Sequence, residues 1–149
     1  MAQAAAESAG TVLFHSDEIN FGNSRIVSTP STTTCAVPSV RLDQFFTAIG
    51  SYPDVVKIDV EGAELRVLDG MGGLFQSHPP RALLIEVHAF SAADPRSFKL
   101  ALLDLLRGAG YRLYYPYAAE PPGKPWEDID AWPDHLPVLA LRPATFAAP

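Results

Sequence analysis

The decapeptide Val55-Val56-Lys57-Ile58-Asp59-Val60-Glu61-Gly62-Ala63-Glu64 constrains the fold more than any other stretch of the chain. A β-branched run breaks at a charged turn containing glycine and passes into a helical pattern, the strand-to-helix junction of an α/β protein. Ligands of open α/β sheets settle at the carboxyl ends of the strands. Asp59 and Glu61, two residues apart, are expected on one side of the pleat and facing that crevice. Helix-dipole complementarity is enough to account for Glu61 and Glu64. Asp59 is different, because it stands in an apolar run where an ionised carboxylate is costly without a partner.

The rest of the chain supplies the elements around this junction. Residues 11–37 alternate short β-prone pieces (Val12-Leu13-Phe14, Arg25-Ile26-Val27 and 33–37) with turn clusters such as Asn20-Phe21-Gly22-Asn23-Ser24, which predicts strands and turns without a βαβ unit. Leu42, Phe45, Phe46 and Ile49 fall at i, i+3, i+4 and i+7 and predict a one-sided helix ending at Gly50. A strand over 54–60 follows, then a helix through Leu65 and Leu68 that stops at Gly70. Residues 82–88 read as a continuously apolar strand, as in parallel sheets covered on both faces. Asp94-Pro95 then sets an N-cap and a first-turn proline, with Phe98, Leu102, Leu105 and Leu106 as the buried stripe up to Gly108 and Gly110. Strands over 111–115 and 138–141, separated by a Pro/Trp/Asp-rich loop at 118–137, end the pattern as an antiparallel pair. The order strand, helix, strand, helix, strand implies an open α/β sheet with right-handed crossovers. Residues 1–10 read as a disordered tail and 11–149 as a single domain.

Composition narrows the function classes. With 48% hydrophobic and 19% charged residues over 149 positions, the chain has the make-up of a globular domain rather than a disordered one. A formal charge of −6 with no basic stripe argues against nucleic-acid binding, which needs clustered Lys and Arg. The single cysteine, Cys35, precludes an internal disulfide and reads as a small, partly buried hydrophobe. No secretory signal or membrane-spanning run is recognisable, so a cytoplasmic setting is expected.

Glu86 and His88 stand two apart at the end of the second strand, hence on one face. Adjacent parallel strand ends lie close together, so Asp59, Glu86 and His88 are expected to converge. Two carboxylates and an imidazole suit a general base for a hydroxyl, or an oxygen-rich divalent metal site that holds one. A lone strand-end histidine is ordinarily satisfied by a backbone carbonyl, and Lys57 is a candidate structural partner for Glu86. Trp126, Trp132, Asp128, Asp130, Asp134 and His135 gather in the long loop, where hydrophobic pinning is a simpler account than a lid over the acceptor.

The octet from Lys57 to Glu64 resembles the signature of the FkbM family of S-adenosylmethionine-dependent methyltransferases, and Glu86-Val87-His88 resembles a Glu-x-His that the family carries. Asn20, Gly22 and Ser24 are similar to its upstream Asn-x-Gly-x-Ser element. Arg41-Leu42-Asp43 stands where the family tends to have Thr-Leu-Asp, with Asp43 aiding a helix start. The resemblance implies a partial doubly wound, Rossmann-like methyltransferase sheet, mostly parallel with an antiparallel edge strand. It also implies S-adenosylmethionine as cofactor, a small-molecule or sugar hydroxyl as acceptor, and Asp59, Glu86 and His88 as the catalytic and metal-holding residues.

One part of that pattern is missing. Sheets of this class hold the cofactor on a glycine-rich turn after the first strand and an acidic residue after the second. Here Gly62 stands alone between strand and helix, while Gly70, Gly72, Gly73, Gly108 and Gly110 follow helices. The resemblance therefore runs from about residue 11 to about 141 and is that of the family's carboxyl-terminal portion, in a truncated form without the cofactor-binding half. A non-catalytic remnant or interaction module of the same fold is the alternative, and a metal-dependent hydrolase a weaker third. Without its usual neighbour, the strand at 54–60 would have an open edge, to be covered by residues 11–37 or by self-association.

Overall fold

A computed structural model describes residues 3–15, 25–117 and 129–143. The turn at 20–24, residues 118–128 of the long loop, Trp126 and Asp128 lie outside the described residues. The protein is α/β, with contacts that divide it into two compact units, residues 1–52 with 59–79 and residues 53–58 with 80–149. Each has its own four-stranded sheet.

The first unit holds strands β1 (Ala4–Ala5), β2 (Gly10–His15), β3 (Arg25–Val27) and β4 (Thr34–Val40), in the order β1-β4-β2-β3. The described β-prone pieces of residues 11–37 pair with one another, β2 running antiparallel to both β3 and β4, and belong to a different sheet from the strand at 54–60. Described residues of the stretch expected as a disordered tail make specific pairings. Ala4 and Ala5 pair in parallel with Ser39 and Val40, the Ala6 amide donates to the Val40 carbonyl at 3.0 Å, and Glu7 meets Arg66 at 2.7 Å. Sequence reading missed this because two alanines carry little strand signal, and the pairing comes from the partner strand. Cys35 is exposed on β4 rather than partly buried.

The apolar period at 42–49 gives helix α1 (Leu42–Ile49), closed by Gly50 at φ 65°. Its apolar stripe is only partly covered, with Leu42 and Phe46 half-buried and Phe45 and Ile49 exposed. Two short helices, α2 (Glu64–Asp69) and α3 (Gly72–Ser77), follow the signature turn, and α3 was not foreseen. Arg41 and Asp43 tie these pieces together. The guanidinium donates to both carboxylate oxygens (3.1 and 2.6 Å) and to the Glu7 carbonyl, while Asp43 also accepts from the Gln44 and Gly73 amides at 2.7 and 3.0 Å. The Arg41 hydrogen bond holds the Asp43 carboxyl below the usual aspartate range, against the opposing effect of its burial. Asp43 does more than start a helix: it joins α1 to α3.

The second unit holds β5 (Val55–Ile58), β6 (Ala82–His88), β7 (Arg112–Tyr114) and β8 (His135–Leu141), with α4 (Pro95–Gly108) between β6 and β7. The sheet order is β5-β6-β8-β7. β5 and β6 are parallel, whereas β6–β8 and β8–β7 are antiparallel. The antiparallel ending is as expected, but the described sheet is mixed rather than mostly parallel. Leu83, Ile85 and Val87 bury one face of β6 completely, with Leu136, Val138 and Ala140 of β8 and Leu102, Leu103 and Leu106 of α4 in the same unit's core. The opposite face of β6, at Ala82, Leu84 and Glu86, is only half-buried, so β6 is not covered equally on both sides. Asp94 caps α4 as predicted, accepting from the Arg96 and Ser97 amides. Lys99 and Leu103 are buried beside the expected Leu102 and Leu106, and Leu105 is half-buried. Tyr111 donates to the Pro80 carbonyl at 2.7 Å, and burial pushes its phenol up to about 12.

Candidate functional site

The signature turn belongs to the first unit. β5 ends at Ile58, and the strand geometry expected through Val60 gives way to a tight turn. Glu61 and Gly62 have φ of 49° and 95°, and the Ala63 amide donates to the Val60 carbonyl at 3.3 Å, the two positive φ values of a primed turn. Glycine carries φ 95° without steric cost, whereas Glu61 does so with strain. Glu64 is wholly buried, and its Oε1 accepts from the Gly62 amide at 3.0 Å. Its role is specific closure of the turn, beyond complementing a dipole. The strand's early end also means that Asp59 and Glu61 do not share one side of a pleat. Asp59 is exposed, so burial in an apolar run does not raise its cost.

At the carboxyl end of β6, the second unit gathers a different trio. Alternation along β6 puts Glu86 and His88 on one face, and the antiparallel register sets His88 opposite His135 and Glu86 opposite Pro137. Glu86 is therefore diagonal to His135, and its Oε1 lies 2.9 Å from His135 Nε2. The two imidazoles stack at 4.7 Å and 24°, and Phe90 packs edge-on against both, at 5.8 and 5.9 Å. His88 is buried, whereas the side chains of Glu86 and His135 are 36% and 54% exposed. This corrects the expected cost of Glu86: it is partly solvated and pairs with His135 instead of Lys57. Donor atoms of Glu86, His88 and His135 all lie within 4.8 Å of one another.

His135 owes its place to the segment before β8. Lys99, buried on α4, donates to the Trp132 carbonyl at 2.8 Å and to Asp134 Oδ1 at 2.9 Å. The Phe90 amide donates to the Asp134 carbonyl at 3.2 Å, and Arg96 meets Asp130 at 2.9 Å. Trp132 is buried, in keeping with hydrophobic pinning of this part of the loop.

Of the expected site residues, Glu86 and His88 come together as foreseen, and His135 joins them. Asp59 lies in the other unit. His135 was noticed only as part of a polar loop, because its strand was expected to begin at Val138. No polar–apolar period marks its start, because the half-buried side of the strand carries Pro137 and Leu139 while Leu136, Val138 and Ala140 are buried.

These features define an α/β protein with a carboxylate–imidazole site at a strand end. A family model, the Methyltransferase FkbM domain, matches residues 3–113. The chain belongs to the FkbM methyltransferase family. The match begins ahead of the expected start near residue 11; it contains the octet, Glu86 and His88, and stops short of His135. No curated protein and no solved structure matches the chain.

The cradle expected for the cofactor that this family implies is not found among the described residues. No strand in the described residues leads into a glycine-rich turn, and Gly62 lies in a tight turn closed by the buried Glu64. Among the described residues, no helix is long and apolar enough to cross a membrane.

Proposed function

We propose that the chain supplies the acceptor side of an S-adenosylmethionine-dependent O-methyltransferase acting on a small-molecule or sugar hydroxyl in the cytoplasm, with the cofactor's cradle not among these residues. The observation that supports this is the 2.9 Å couple of Glu86 with His135, packed against His88 at an accessible strand end in a member of a methyltransferase family. Methylation of a hydroxyl requires the acceptor oxygen to be positioned and its proton removed. With His135 Nε2–H donating to Glu86, Nδ1 is the nitrogen left to take that proton, and the carboxylate stabilises the imidazolium that forms. His88 fixes the neighbouring ring, and Phe90 offers an apolar surface to the acceptor's carbon skeleton. Asp59 enters this reading through the signature octet alone, as a second carboxylate for the reaction.

Transfer of labelled methyl to hydroxyl acceptors by the polypeptide as its gene encodes it would test the assignment. Glu86→Gln and His135→Ala should each lower turnover by roughly 10²- to 10⁴-fold, the usual worth of a general base, with cofactor affinity unchanged. Full turnover in both variants would refute the site. No transfer by the wild type would favour a non-catalytic remnant, the reading that the absent glycine-rich turn supports.

A further inference from the structure

We propose that Glu86, His88 and His135 bind one first-row transition-metal dication of the zinc class, with two imidazole nitrogens and one carboxylate oxygen as protein ligands. The proposal shares residues with the acceptor site above, and it is read without cofactor or acceptor, so its failure would leave the methyltransferase reading standing.

Register brings the ligands together. Glu86 and His88 alternate onto one face of β6, and antiparallel pairing delivers His135 directly opposite His88. All three donor atoms fall within 4.8 Å of one another, with Glu86 and His135 at 2.9 Å. Tetrahedral ligands around a zinc-class ion at about 2.0–2.2 Å stand about 3.3–3.6 Å apart, so rotation of the side chains closes the set without moving a strand. The ion would replace the proton now shared by Glu86 and His135.

Donor chemistry selects the class of metal. The expected trio of Asp59, Glu86 and His88 would be oxygen-rich and suited to magnesium. Two imidazoles and one carboxylate favour zinc, cobalt or iron over magnesium and calcium. Three protein ligands leave a position open, and the exposed side of Glu86 and His135 lets water or an acceptor oxygen reach it. Support behind the ligands is rigid: His88 lies between the buried Val87 and Ala89, and Lys99 and the Phe90 amide hold Asp134, next to His135.

The test is titration of the full chain with Co(II), whose visible d–d bands report coordination geometry. Wild type should show one saturable site with tetrahedral or five-coordinate bands that Zn(II) abolishes stoichiometrically. His135→Ala and His88→Ala should weaken it at least tenfold. Glu86→Gln, which keeps the side chain's shape, should do the same and guards against loss of folding in the histidine variants. His15→Ala and His78→Ala, which remove the chain's other two imidazoles, should titrate as wild type. Absence of a saturable site in the wild type, or binding unaltered in Glu86→Gln and His135→Ala, would overturn the proposal.

Discussion

Among single residues, those that could be recognised in the sequence are the ones whose chemistry is local. Glu86 and His88 were marked by two polar residues at the end of an apolar strand, and the strand's alternation does put them on one face. His135 depended on a register between strands almost fifty positions apart in the chain, which no local pattern encodes. Asp43 is a similar case, because its partners Arg41 and Gly73 come from both sides of the signature turn. Its carboxyl titrates below the unfolded aspartate range, so the folded state binds fewer protons there than the unfolded chain. The stabilisation is therefore complete above the unfolded range and is lost as pH falls through the lower, folded value. Asp43→Asn should lower stability at neutral pH by about 1–3 kcal/mol and remove part of the loss seen on acidification below about pH 4. Urea unfolding at neutral and acidic pH measures both, and an equal deficit at the two pH values would count against this role. Gly70 has a steric role: a Cβ there would run into the Ala6 carbonyl. Gly70→Ala should cost about 1–3 kcal/mol and speed hydrogen exchange at the Ala6 amide, whereas unchanged exchange would show that β1 adjusts freely.

At the level of elements, the strong periodicities were readable and the boundaries less so. α1, β6 and the cap of α4 lie where apolar spacing and Asp94-Pro95 put them. β5 is shorter than its apolar run because Glu61 and Gly62 turn the chain, and β8 is longer because Pro137 sits at a tolerated position on a strand that is fully buried on one face only. Period reveals that a helix is amphipathic but not what covers it, so α1 keeps Phe45 and Ile49 exposed. The link between α4 and β8 rests on Lys99, whose buried ammonium holds Trp132 and Asp134. Lys99→Met keeps most of the side chain's bulk and removes both bonds, leaving the Trp132 carbonyl without this donor. A loss of about 1–3 kcal/mol is expected, with faster hydrogen exchange over 132–135 and unchanged protection in the centre of β6. Uniform exchange across the unit, or none of this change, would show that the segment is held by its apolar contacts instead.

For the molecule as a whole, the α/β class followed from the alternation of elements, while the division into two units did not, because the chain passes from one to the other within the signature octet. The mixed sheet was only half legible, since strand sense depends on connections rather than on composition. Among the described residues β5 has a strand neighbour on one side only, and Val55 is 65% exposed. The described strands within 11–37 pair with one another, and we propose a second copy of the chain as the cover for this edge. Sedimentation should show concentration-dependent association that Val55→Lys suppresses, and a monomer at every concentration would rule that out. The division of labour proposed for the enzyme, with acceptor chemistry on these residues and the cofactor's cradle outside them, is tested most directly by calorimetric titration of S-adenosylmethionine into the 149-residue chain. The expected result is no saturable binding, or a Kd weaker than about 1 mM. A micromolar Kd would show that these residues hold the cofactor themselves and would contradict that division.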